Sequence, residues 1–274
     1  LLRDVWGIDA KVVVAKETTY SKVYFVDNTY VLKYNTINSP QQQELINHCM
    51  EICEIDTIPR VFTTKTGQNL HYPYSLYEFK CCDTKDTDDL NFDMISQTAQ
   101  TLALIHKSLA KEKDLEKRVS LTIGDVYPTE TGDLSTYDDE DIAYTVQKIK
   151  DSLETKPHFF NLPEQIGHFD FTPSNLLFYN NKLTGVIDFD IMRVSERARD
   201  VVITQRKISN TKEDRHSFLE IYNEANPLLE EELNSLDDLY FDEIRRKLIY
   251  TIRRYKKAPQ EYEKIAKHFL RLVC

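Results

Sequence analysis

The sequence predicts an α+β fold with a β-rich front and a mainly helical back, and three observations point to it. Short alternating or β-branched runs fill the front of the chain as far as Phe79. From about Cys81 onward the character changes, and from Met94 the apolar residues recur at helical spacing instead. One tight hairpin, turning at Asn180-Asn181, interrupts that helical stretch.

Lys11 to Ala15 is a short apolar run, Lys22 to Val26 alternates, and Thr29 to Tyr34 is rich in β-formers, so each is an expected strand. Asp27-Asn28 tolerates positive φ and reads as a two-residue turn between the last two. Ser39-Pro40 opens a helix, because Pro fits a first turn, and Leu45, Ile46, Cys49, Ile52 and Cys53 mark its apolar face. Two more strands are expected at Arg60 to Thr64, beside a Thr66-Gly67 turn, and at Leu76 to Phe79. The polar, acidic stretch Asp83 to Asp89 reads as a connector, dividing the chain into residues 1–80 and 81–274. Met94, Ala99, Leu102, Leu104, Ile105 and Leu109 predict a helix running to Lys111. Asp138 to Leu153 predicts another, with acids in its first turn where the helix dipole favours them. Gln165 to Asn175 is a strand end and loop, followed by the hairpin of Leu176 to Tyr179 and Leu183 to Asp188. Phe241 to Tyr255 and Gln260 to Leu272 complete the helical part.

Composition narrows the function classes. The 274 residues are 41% hydrophobic and 29% charged, ordinary for a soluble protein that buries a sizeable core. No apolar run approaches the roughly 20 residues that span a bilayer, so no membrane partner is expected. A net charge of -10 disfavours nucleic acid, whose phosphates demand a basic surface. That charge accommodates a cationic substrate, although solvated acidic surface is the simpler reading. Five cysteines without a C-x-x-C pair suit a reducing compartment, and the start Leu1-Leu2-Arg3-Asp4 carries no targeting pattern. The expectation is a cytoplasmic protein.

The chemistry-bearing segments are His168-Phe169-Asp170-Phe171-Thr172-Pro173-Ser174-Asn175 and Ile187-Asp188-Phe189-Asp190. Phosphoryl transfer needs metal ions to neutralise the triphosphate, a carboxylate to orient the attacking hydroxyl, and cations against the phosphates. A tight hairpin between Asn175 and Asp188 brings these two residues together as oxygen ligands for one hard cation such as magnesium. Asp170, a few residues earlier, then faces the substrate hydroxyl as base. Each residue alone has a plainer role in a turn or at a strand end; together their type and spacing point to a kinase.

H-x-D-x-x-x-x-N, a hairpin and I-D-F resemble the catalytic and metal-binding loops of the aminoglycoside phosphotransferase and choline kinase superfamily. The resemblance implies a bilobal protein-kinase-like fold, with a small β-rich N-terminal nucleotide-binding lobe and a larger helical lobe for catalysis and substrate. It implies ATP or GTP with Mg2+, and phosphorylation of a small-molecule hydroxyl. Asp170 is then the catalytic base, Asn175 and Asp188 the metal ligands, and His168 a structural member of the loop. Asp200 corresponds to a helix-start acid that braces that loop, while Asp190 is a second acid of open role. Protein kinases are a poorer match, since Phe169 stands where they usually carry Arg.

Further forward, Lys33 of Val31-Leu32-Lys33 resembles the lysine that pairs the α- and β-phosphates, and Glu44 has the spacing of its ion-pair partner, with Gln43 and Glu51 nearby. Ser75 to Lys80 resembles the strand leading into the hinge, so the main chain of Glu78 and Lys80 would meet the adenine edge. His106 reads as a buried, hydrogen-bonded core histidine. The departure is the phosphate loop, Lys16 to Lys22, which has no glycine with which to bring backbone amides close to phosphates. Thr18, Thr19 and Ser21 are the candidates there. A nucleotide-binding pseudokinase or scaffold is the rival reading, supported by that loop and opposed by the presence of Lys33, Asp170, Asn175 and Asp188 together.

Overall fold

The computed structural model describes residues 1–17, 21–35, 37–82, 90–122, 140–155, 162–253 and 259–273. In chain order, the front holds β1 (Val13–Glu17), β2 (Ser21–Val26), β3 (Tyr30–Asn35), α1 (Pro40–Cys53) and β4 (Tyr74–Glu78). Then come α2 (Phe92–Leu109), α3 (Lys113–Thr122), α4 (Glu140–Thr155), β5 (Glu164–Gly167), β6 (Leu176–Tyr179) and β7 (Lys182–Val186). Last are β8 (Arg193–Glu196), α5 (Arg197–Ile208), α6 (Lys212–Ala225), α7 (Glu230–Asn234), α8 (Leu236–Arg253) and α9 (Pro259–Val273). The chain forms two compact units, Leu1–Gly124 with Glu164–Pro227, and Asp125–Pro163 with Leu228–Cys274. Residues 80 and 81 lie inside the first unit, and the expected connector at 83–89 is outside the described residues.

In the first unit, β1 to β4 make an antiparallel sheet in sequence order. Asp27 and Asn28 take φ of 51° and 50°, the left-handed backbone expected of them. Val26 pairs with Tyr30, so the turn also takes in Thr29. Alternation along the strands buries Val26, Leu32 and Leu76 against Trp6 and Phe62. The register sets Lys33 between Val23 and Ser75, in the middle of the sheet.

The strand expected at Arg60 to Thr64 shrinks to a single bridge between Val61 and Tyr77. Side chain and turn compete for its backbone: the Trp6 indole donates to the Phe62 carbonyl (3.1 Å), and Thr64 closes onto Gln68 (2.8 Å) across the Thr66-Gly67 turn. Helix α1 begins as expected. The Ser39 hydroxyl accepts from the Gln42 amide, and the Gln42 side chain accepts from the Ser39 amide (2.8 Å).

Behind the sheet, α2 is capped by Asn91 and buries Met94, Ile95, Ala99, Leu102, Ile105 and Leu109. The β6–β7 hairpin turns at Asn180 and Asn181, with φ of 50° and 60°. Strand β8 was not expected. Its four residues are mostly polar, and its pairing with β5 is a non-local match that composition does not reveal.

The second unit has its own core. Ile142, Val146 and Ile149 of α4 meet Leu248, Ile249 and Ile252 of α8 and Tyr262, Ala266 and Phe269 of α9. Spacings of three and four residues put each set on one helix face. Among the described residues, no helix is long and apolar enough to cross a membrane.

Candidate active site

The loop after β5 is built around Asp200, at the start of α5. Its Oδ2 accepts from the His168 amide (2.8 Å) and meets His106 Nε2 (3.0 Å), and its Oδ1 accepts from the Phe169 amide (2.9 Å). The carboxylate is completely buried. Burial alone would raise its pKa; the bonds and charges of His106 and His168 outweigh it and lower the pKa instead. Behind it, His106 Nδ1 meets the Tyr222 hydroxyl at 2.7 Å, so His106 is the buried, hydrogen-bonded residue expected and Asp200 is the brace. Gly167 leaves room for this arrangement, since a Cβ there would stand 2.7 Å from Asp200 Oδ2.

His168 is fixed on both ring nitrogens. Nδ1 accepts from the Asp170 amide (3.2 Å), which leaves Nε2 as the donor to the Ile187 carbonyl (3.1 Å). Burial lowers its pKa, and its ring packs at a tilt of 60° against Phe189, with centroids 4.4 Å apart. A neutral, doubly bonded histidine holds the loop and is not poised to move protons. Phe169 takes a φ of 60°, with the Arg193 guanidinium 3.9 Å above its ring. That turn carries the chain on to Asp170.

The Asp170 carboxylate is met by Asn175 and Lys207. Asn175 Nδ2 donates to Asp170 Oδ2 and to its main-chain carbonyl, both at 2.9 Å, and Lys207 Nζ stands 3.0 Å from Oδ1. The Asn175 carbonyl accepts from the Ile187 amide (3.0 Å), so the closing pair of the hairpin joins Asn175 to the residue before Asp188. The structure therefore brings Asp170, Asn175 and Asp188 to one end of the hairpin, as their spacing suggested. Lys207, near the end of α5, was missed. A lysine following Arg206 in the last turn of a helix looks like ordinary solvated charge, and only the tertiary fold points it at Asp170.

Lys33 reaches the same place from the sheet. Its Nζ is 2.7 Å from Asp190 Oδ2 and 3.1 Å from Asp188 Oδ1. Burial would lower the ammonium's pKa; Asp190 and Asp188 overcome this and raise it above the ordinary lysine value. Glu44, the expected partner, does not take part: it lies exposed on α1. The residue of α1 that turns inward is Gln43, whose Nε2 lies 3.1 Å from both Asn47 Oδ1 and the Tyr77 hydroxyl. Successive helix residues are about 100° apart, so a carboxylate one position along faces water.

The remaining expected residues are placed as follows. The Glu78 amide donates to the Arg60 carbonyl (2.9 Å), which commits its donor to the segment that forms the Val61–Tyr77 bridge. Its side chain pairs with Lys80 Nζ at 3.0 Å, and Lys80 also donates to the Asp56 carbonyl (2.8 Å). Thr18 and Thr19 lie outside the described residues, and Ser21 is placed as the first residue of β2.

The donor set suits magnesium. Asn175 uses its amide nitrogen on Asp170, which turns its carbonyl oxygen the other way, and Asp188 has a half-exposed carboxylate. Among the described residues, no cluster of three or more His, Cys, Asp or Glu could hold a metal by itself. Two oxygen ligands completed by phosphates and water are what magnesium accepts in nucleotide sites.

The most informative structural likenesses share only the fold at such low identity. An amicoumacin kinase complex with AMP-PNP, Ca2+ and amicoumacin has 14% identity and a TM-score of 0.75, over 97% of this chain and 90% of that one. A streptomycin–ATP complex of APH(2")-IIa has 16% identity and a TM-score of 0.66, over 96% and 94%. Spectinomycin phosphotransferase APH(9)-Ia, with ADP and spectinomycin, has 16% identity and a TM-score of 0.66, over 100% and 92%. These likenesses establish a kinase-like fold with a small antiparallel sheet and a larger helical part. No curated protein sequence matches at a significant level. The model of the phosphotransferase enzyme family matches residues 14–234, and the chain belongs to that family.

Proposed function

We propose that the chain transfers the terminal phosphoryl group of ATP or GTP, with Mg2+, to a hydroxyl of a small molecule. Residues 1–80 would supply the nucleotide side, and residues 81–274 the catalytic and acceptor side. One observation carries the reading: Asn175 bonds Asp170 and, through Ile187, the approach to Asp188, so the three residues proposed as base and metal ligands share one hairpin end. Membership in a phosphotransferase family supports it.

In this mechanism Asp170 orients the acceptor hydroxyl and takes its proton. The new O–P bond forms as the bond to the nucleoside diphosphate breaks, and the diphosphate leaves with that electron pair. Asn175 and Asp188 would hold magnesium, which when bound neutralises the developing charge on the phosphates. Lys33 adds a cation on the nucleotide side. Acceptors of the kinds named in the structural relatives, such as aminoglycosides, make the natural first panel.

The test is acceptor-dependent formation of ADP or GDP and of the phosphorylated product, with Mg2+, across a panel of hydroxyl-bearing small molecules. Asp170→Ala should lose about a hundredfold or more in turnover while keeping most nucleotide affinity. Unchanged turnover in that variant would remove Asp170 as base. Tight nucleotide binding without turnover on any acceptor would favour the scaffold reading.

A further inference from the structure

We propose that Asp190 is the carboxylate that positions Lys33, in place of a carboxylate on α1. This rests on the nucleotide-binding reading above and concerns how that site is held. Lys33 is 13% exposed, and an ammonium so buried needs a lasting counter-charge. Two carboxylates supply it, and they differ. Asp188 is 47% exposed, takes a left-handed φ of 65°, and stands at the hairpin end beside Asn175, where a metal would engage it. Asp190 is 15% exposed and makes the shorter contact, 2.7 Å. It sits in the short helical turn Phe189–Ile191, closed by the Met192 amide on the Phe189 carbonyl (3.0 Å). Its own carbonyl accepts from Asn38 Nδ2 (3.4 Å), just ahead of α1.

When Asp188 turns to magnesium, Asp190 still balances Lys33. Helix α1 offers no substitute, because Gln43 is neutral and engaged with Tyr77 and Asn47, and Glu44 faces solvent. Asp190 is thus a positioning residue: it holds the lysine extended toward the phosphates and touches no substrate itself. A consequence is that Lys33 is aligned by the loop after β7, and its alignment does not depend on a charge carried by α1.

Binding of the non-hydrolysable analogue AMP-PNP, followed by titration calorimetry, tests this without any acceptor. Affinity is compared in Mg2+ and in EDTA for the parent, Lys33→Met, Asp190→Asn, the double variant and Glu44→Gln. We expect Lys33→Met to weaken binding about tenfold in both buffers, and Asp190→Asn to do so in Mg2+ and less in EDTA, where Asp188 still faces Lys33. The double variant should bind no worse than either single one, and Glu44→Gln should stay within about twofold of the parent. Asp190→Glu, which keeps the charge, should recover part of the affinity and guards against misfolding of the Asn variant. Parent-like affinity of Asp190→Asn in Mg2+ would show that Lys33 needs no carboxylate there and would overturn the proposal. Additive losses, or a Glu44→Gln defect equal to that of Lys33→Met, would overturn it too. A parent that binds no nucleotide would instead bring down the kinase reading, which these other outcomes leave standing.

Discussion

Asp200 and Asp170 are the same residue type in the same compact unit, and they live in opposite surroundings. Asp200 is wholly buried, and two main-chain amides and His106 share its two oxygens. Asp170 keeps 33% of its side chain exposed and meets an amide side chain and a partly exposed lysine. A carboxylate enclosed by backbone donors has no capacity left for a substrate, and its contribution is to the shape of the loop. A partly exposed carboxylate held by side chains that can shift can exchange a partner for a hydroxyl. Burial together with the identity of the donors, more than residue type, separates scaffold from chemistry here.

Changes on the Asp200 side should therefore cost stability, and changes on the Asp170 side should cost turnover. The largest effect is expected from Asp200→Ala, which strands two buried amides and His106, and should destabilise the fold by about 4 kcal/mol in denaturant titration. A loss below about 1 kcal/mol would show that the loop does not depend on this brace.

Next in size is the Glu196–Arg199 pair at the start of the same helix. Burial would raise the Glu196 pKa, but the Arg199 hydrogen bonds and charge hold it down to about 2, against an ordinary 4.5. A depressed carboxyl contributes stability fully above pH 4.5 and loses it as the pH falls toward 2. That contribution is roughly 3 kcal/mol at neutral pH. Glu196→Gln should lower neutral-pH stability and flatten the acid limb of the unfolding curve between those values. An acid limb as steep as the parent's would reject the pair as its source.

Gly167→Ala should cost about 2 kcal/mol, because its methyl group would press on Asp200 and the Phe169 ring. Thermal unfolding reads this directly, and an unshifted midpoint would mean the loop can move aside. Smallest in stability, and the sharpest contrast, is Lys207→Met. It should leave stability within about 0.5 kcal/mol, yet lower kcat about tenfold with nucleotide KM unchanged, and Lys207→Arg should restore part of the rate. A variant that loses stability in proportion to activity would place Lys207 with the scaffold and erase the distinction.

Much of the site was legible because its signals are local. Asp170, Asn175 and Asp188 lie on a loop and a hairpin whose Asn180-Asn181 turn is written in two residues, so their meeting follows from short-range geometry. Asp200 and His106 were also read correctly, as brace and core histidine. The strand at Arg60 to Thr64 failed because Trp6, distant in sequence, captures a carbonyl that the expected strand needed. Glu44 failed for a rotational reason: Gln43 and Glu44 are adjacent on α1, and spacing from Lys33 does not say which one turns inward.

The sequence by itself determined the α+β order, the two asparagine turns, the capped start of α1 and the spacing of Asp170, Asn175 and Asp188. Each depends on residues near one another in the chain. Only the tertiary structure decided which charges meet. Lys33 finds Asp188 and Asp190 across 155 and 157 residues, and Asp170 finds Lys207 across 37. Ion pairing has no periodicity or turn chemistry to announce it, and a lysine reads the same in sequence whether it faces water or a carboxylate. The choice of partner was made when the sheet, the hairpin and α5 were packed together.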